Sequence, residues 1–200
     1  MSNNSSAEVS DLDRSARCSI YYLIFSALAW LLLGGVLALV NLVQQHTPSF
    51  LADCSFLTFG RSQALQETAL MYGWTINAGV ALALWLLIRL GHSALRGGNY
   101  VIIGGLFWNL GIAMSLVGIA TGDMTSFSLL QMPRYLHPIM LVAFAAMASP
   151  GILAWTGRKS ETTFAAQWYV LAALFLFPWF FSVAQVMLLF VPVRGALQTV

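Results

Sequence analysis

Residues 19–43 read SIYYLIFSALAWLLLGGVLALVNLV, a run of 25 positions without a charged side chain. A helix needs roughly 20 mostly apolar residues to cross the ~30 Å hydrocarbon core of a bilayer, and this run exceeds that. It is too long for the apolar region of a signal peptide, polar residues from Ser2 to Arg17 precede it, and no A-x-A type cleavage site follows. It is therefore expected to remain as an anchor. Four further stretches pass the same test: about Leu65 to Leu90, Tyr100 to Gly122, Tyr135 to Trp155, and Ala165 to Val191 with Pro178 near its middle. Inside these limits only Glu67 and Arg89 are charged, each at an end of the second span. The fold class that follows is an all-α transmembrane bundle of about five spans. Residues 1–18 form an N-terminal cytoplasmic segment, 19–192 the membrane domain, and 193–200 a short tail.

Composition agrees. Hydrophobic residues make up 59% of the 200 positions and charged residues only 8%, against about 25% charged in soluble domains. The lipid bilayer is thus the first partner. A net charge of +2 gives no reason to expect nucleic acid. Cys18 and Cys54 flank the first span, so they should lie on opposite sides of the membrane and cannot pair with each other. No Cys/His spacing suggests zinc or an iron–sulfur cluster.

Orientation is read from the basic residues. Arg14, Arg17, Arg89, Arg96, Arg158 and Lys159 fall on one side; Arg61, Arg134 and Arg194 fall on the other. The richer side is expected to be cytoplasmic, which puts the N-terminus inside. Residues Gln44 to Ala64 and Asp123 to Pro133 then form outer loops, the first of them long, and the inner loops Gly91 to Asn99 and Thr156 to Phe164 are short.

Two helix faces stand out. Gly104, Gly111, Ser115, Gly118 and Gly122 form a small-residue stripe on the third span, which suits either a close helix–helix contact or room for a flat cofactor. Gln66, Gly73 and Asn77 share a face of the second span. An amide in lipid needs a partner, so Asn77, and likewise Asn109 and Gln185, should point inward, toward another helix or toward a cofactor or proton path. His46 and His92 fall in loops. His137, in Arg134-Tyr135-Leu136-His137-Pro138, sits at the mouth of the fourth span and reads as a polar anchor. Haem ligation usually needs a histidine held inside the bundle, and none of the three lies deep in a span. There is no Ser/His/Asp set, no nucleotide loop and no pair of buried carboxylates.

The stretch Leu57-Thr58-Phe59-Gly60-Arg61, followed by Leu65, Ala69, Gly73 and Asn77-Ala78, resembles the start of the second transmembrane helix in subunit I of haem-copper terminal oxidases, especially the cbb-type branch. That family reads approximately L-T-F-G-R-x-R-P-x-H-T-N-A. The likeness in layout extends to Gln167-Trp168-Tyr169 at the start of the fifth span and to Val193-Arg194-Gly195-Ala196-Leu197-Gln198 in the tail. It implies an oxidoreductase of respiratory electron transport, with haem as cofactor and other subunits as partners; in a bacterium, helical rather than barrel spans place the chain in the inner membrane. Arg61, Gly73 and Asn77 match cofactor-pocket positions.

Two departures qualify this. Gln66 stands where the family has an axial haem histidine, and a carboxamide is a poor ligand for haem iron. Gln63 and Ala64 replace the motif's arginine and proline. The family's copper ligands begin in a sixth helix, beyond Val200. The chain alone is therefore expected to bind neither copper nor bis-histidine haem. It is either part of an oxidase-like complex whose remaining helices come from elsewhere, or a structural or assembly subunit that has lost its metals. An unrelated transporter or channel fits less well, given the scarcity of intramembrane charge.

Overall fold

The computed structural model describes the backbone of residues 2–189 and the side chains of residues 10–187. Val191, Arg194 and the tail 193–200, with the motif-like Val193 to Gln198, lie outside them. Among the described residues all regular structure is helical: α1 (Ser2–His46), α2 (Phe59–Thr68), a π-helical turn (Ala69–Thr75), α3 (Ile76–Gly91), α4 (Gly98–Thr121), a 3-10 turn (Arg134–Leu136), α5 (His137–Thr156) and α6 (Ala165–Leu189). α2, the π turn and α3 run on as one rod. Five helical stretches are long and apolar enough to cross a membrane: 10–46, 59–91, 98–121, 134–156 and 165–187.

Two expected boundaries move. α1 extends back through the polar segment, so its 45 residues span about 68 Å at about 1.5 Å each. At the other end, Gln44 belongs to α1, and Phe59 to Ala64 belong to α2. The long loop expected from Gln44 to Ala64 therefore shrinks to residues 47–58. Hydropathy marks where a helix meets lipid, and both helices continue past that depth on polar residues. Ser62 and Ala64 turn inward while Gln63 faces out.

α4 packs most extensively against α5, and the small-residue stripe is the reason. A Cβ on Gly104 would lie 2.7 Å from the Ala143 carbonyl oxygen and 2.8 Å from the Met147 nitrogen, and one on Gly111 would lie 2.8 Å from Met140 Cγ. Gly118 faces Pro133 in the same way. Small residues let helix backbones approach in lipid, where packing replaces the hydrophobic effect as the driving force. Gly122 is not part of this contact. It ends α4 with φ +98°, a left-handed cap conformation that glycine tolerates.

Trp108 is fully buried at the centre. Its ring lies 5.9 Å from Phe144 and 6.1 Å from Phe177, and Phe181 continues the layer to Tyr72 at 6.0 Å. Most of α6 stays outside, with Tyr169, Trp179 and Phe180 exposed, as lipid-facing side chains are.

The two ends of the bundle are distinct. Asp13 and Arg89 pair at 3.3 Å, Ser19 Oγ donates to the Gly98 carbonyl and the Lys159 amide donates to the Gly91 carbonyl. Arg14, Arg17, Arg89, Arg96, Arg158 and Lys159 thus share the end that carries the start of α1. Arg61 and Arg134 share the far end. Cys18 and Cys54 are both free, one toward each end.

Candidate functional site

The π turn organises the interior. Its wider hydrogen-bonding step leaves backbone carbonyls open to additional partners. The Tyr72 carbonyl accepts from Trp108 Nε1 at 2.9 Å, the Gly73 carbonyl from Asn77 Nδ2 at 2.7 Å, and the Leu70 carbonyl from Thr75 Oγ1 at 3.0 Å.

The face bearing Gln66, Gly73 and Asn77 turns toward α1 and is filled. Asn41 Nδ2 donates to Gln66 Oε1 at 2.5 Å. Ser62 Oγ lies 2.5 Å from Asn41 Oδ1 and 2.7 Å from Gln44 Oε1 and donates its single proton to one of them, and Gln44 Nε2 reaches the Leu57 carbonyl at 2.6 Å. About two turns further along the rod, the Trp30 side chain occupies the space over Gly73, where an added Cβ would meet Trp30 Cγ at 2.5 Å. Asn77 is fully buried and donates to Asn109 Oδ1 at 3.1 Å. Asn109 Oδ1 also accepts from Trp30 Nε1, and its Nδ2 donates to Tyr22 and Ser26, each at 3.2 Å. That uses every hydrogen-bonding position of the Asn109 carboxamide. One atom of Asn77, its Oδ1, remains buried without a partner.

Of the positions read from the sequence, Gln66, Gly73 and Asn77 therefore lie along one interface, while Arg61 lies apart. Arg61 Nη1 donates to the Ala120 carbonyl at 3.0 Å and to the Ser55 carbonyl, tying the 47–58 loop to the end of α4. Close by, Glu67 accepts from Gln131 Nε2 at 2.6 Å and from Ser128 at 3.2 Å, and Tyr72 donates to the Leu129 carbonyl. The 122–133 loop is thus fastened to α2 and the π turn. At position 66 the carboxamide is committed to Asn41, and the space over Gly73 holds the Trp30 indole.

The opposite side of the rod, toward α5 and α6, is unfinished. His137, expected as a polar anchor at the mouth of the fourth span, is buried, only 5% exposed. Its Nδ1 lies 3.0 Å from the Arg134 carbonyl. A carbonyl only accepts, so Nδ1 carries the proton and Nε2 presents a lone pair. That Nε2 is buried without a partner. The imidazole packs edge-on against Phe181 at 5.4 Å, and Phe181 in turn touches Tyr72. One turn further toward the far end stand Thr68, on the Tyr72 rod, and Gln185, on the Phe181 helix. Thr68 Oγ1, both side-chain polar atoms of Gln185 and the Oε1 of Gln131 are likewise buried and unpartnered.

Trp30, Asn41, Ser62 and the π turn were missed in the sequence reading. Asn41, an amide inside an apolar run, was a signal for the first cluster; nothing local marks the π turn. No protein-family model matches the chain, and comparison with curated proteins found no significant match.

Proposed function

We propose that this chain is a membrane-embedded subunit of a terminal-oxidase-like electron-transfer complex, and that it contributes helices and a loop framework to that complex rather than metal ligands. The Asn41–Gln66 hydrogen bond carries the reading. It closes the position that would need an imidazole, while the motif residue Arg61 keeps a structural task in the same region. In this reading the chain sits in a bacterial inner membrane, the membrane that uses helical rather than barrel spans. Its N-terminus faces the cytoplasm, in keeping with the basic excess at that end. The haem and copper ligands come from partner components.

The test is an optical spectrum of the purified full chain after incubation with haem. The unmodified protein should give no paired α-band of six-coordinate low-spin haem, and Gln66→His should give five-coordinate binding at most. A six-coordinate spectrum from the unmodified chain would overturn the scaffold reading.

A second reading, in which the chain itself holds a cofactor, is favoured by one observation: the unpaired Nε2 of buried His137. It requires that any haem spectrum vanish in His137→Ala and survive in Gln66→Ala.

A further inference from the structure

A groove of about 920 Å³ opens between α1 and the rod formed by the π turn and α3. Its polar and apolar linings are separated along its length. At the N-terminal end it is lined by Ser10, Asp13, Arg14 and Arg17. From Ile20 onward the only polar groups in the lining side chains are the Tyr21 hydroxyl and the indole N–H groups of Trp74 and Trp85, and the walls are formed by Ile24, Leu28, Leu82 and Trp74. Asp13 is paired with Arg89, so the net charge at the mouth comes from Arg14 and Arg17. The Arg17 guanidinium lies over the Tyr21 ring at 5.5 Å, which places its charge at the rim.

The two helices run antiparallel. They meet closely where Trp30 covers Gly73 and Leu70 covers Gly34, and this contact closes the groove below Leu28 and Trp74. Above it, Ala27, Ala78, Ala81 and Ala16 line the groove, and methyl groups are too short to fill it. From Arg17 to Leu28 the trough descends 11 residues of α1, about 16 Å at about 1.5 Å per residue. Half of a ~30 Å hydrocarbon core is about 15 Å. The trough therefore has the depth of one leaflet, a cationic mouth at headgroup level, and Trp85 on its rim beside that mouth, where interfacial tryptophans concentrate.

We infer that this groove is a binding site for an anionic phospholipid of the leaflet nearest the N-terminus, with its phosphate at Arg14 and Arg17 and an acyl chain along the alanine-floored trough. A partner's transmembrane helix would not need two cations at one end, and a neutral lipid would not be selected by them. The inference rests on the membrane-spanning fold alone and stands or falls independently of any electron-transfer role.

Native mass spectrometry of the full chain released from nanodiscs tests it, with phosphatidylglycerol and phosphatidylcholine supplied in equal amounts. The protein should retain a phosphatidylglycerol adduct in preference to phosphatidylcholine. The double variant Arg14→Gln/Arg17→Gln should lower that preference by about thirtyfold, the combined effect of two basic side chains near an anionic surface. Arg96→Gln removes a charge from the same end but outside the groove and should leave the preference intact. Ala78→Phe, which fills the trough without touching the arginines, should reduce retention of the adduct. Equal retention of both lipids, equal losses in Arg96→Gln and the double variant, or a photo-crosslinker at position 82 that captures protein instead of lipid would each overturn the assignment.

Discussion

Trp30 Nε1 donates to Asn109 Oδ1 at 2.7 Å, and the same indole fills the space over Gly73. One side chain of α1 thus joins α4 by a hydrogen bond and the π turn by packing. Asn109→Leu keeps the volume and removes every acceptor and donor, stranding the indole N–H and leaving Asn77 Nδ2 with only its bond to the Gly73 carbonyl. An interhelical hydrogen bond in membrane proteins contributes roughly 0.6 kcal/mol, and a buried unpaired donor costs about 1–3 kcal/mol. The expected loss is about 2 kcal/mol in a reversible unfolding titration in mixed micelles. Stability equal to the parent would mean that water replaces the carboxamide.

Gly104 and Gly111 face α5 through different atoms. The obstacle at Gly104 is backbone, at Ala143 and Met147; the obstacle at Gly111 is the flexible Met140 side chain. Gly104→Ala should therefore destabilise by about 1–3 kcal/mol, the usual penalty of overpacking, and Gly111→Ala by clearly less. Gly79, with nothing within 4 Å of an added Cβ, serves as the control. Gly79→Ala should leave stability unchanged or raise it by up to about 1 kcal/mol. The same ranking should appear in detergent-resistance midpoints.

Much of this architecture was legible in the chain itself, for a physical reason. Lipid demands apolar runs of a set length, so five spans can be counted, and a stripe at Gly104, Gly111 and Gly118 announces a close neighbour. Helix ends were less legible, because α1 and α2 continue through polar residues once they leave the hydrocarbon. The neighbour that fills the Gly73 face was not legible at all. Trp30 lies 43 positions away, and no local pattern ties an indole in one span to a glycine in another. Nearness to a helix end does not say which way the His137 imidazole turns.

The two ends of the bundle should be chemically separable in intact cells. Ser160 and Ser126 lie in loops at opposite ends and are suitable for single-cysteine labelling in a background lacking Cys18 and Cys54. An impermeant maleimide should label position 126 from outside and reach position 160 only after permeabilisation. Labelling of both from the same side would refute an odd number of crossings between them.

Glu67 holds the 122–133 loop through Gln131 and Ser128. Glu67→Ala should raise hydrogen exchange of the amides around Ser128 to Gln131 by about tenfold, the equivalent of about 1.4 kcal/mol of lost local stability, and leave α4 and α5 protected. Unchanged exchange would show that the Tyr72–Leu129 bond suffices to hold the loop.

The π turn at Ala69–Thr75 also sets a phase. A π turn places about one extra residue in the helix, and one residue corresponds to about 100° of rotation in an α-helix. Phe59–Thr68 and Ile76–Gly91 are therefore out of step by that angle relative to an unbroken helix. Losing a single residue anywhere in the turn would restore regular winding, yet it would swing Ser62 and Gln66 off Asn41 while Asn77 stayed on Asn109. In this rod the number of residues in the turn, more than their identity, decides which neighbour each half meets.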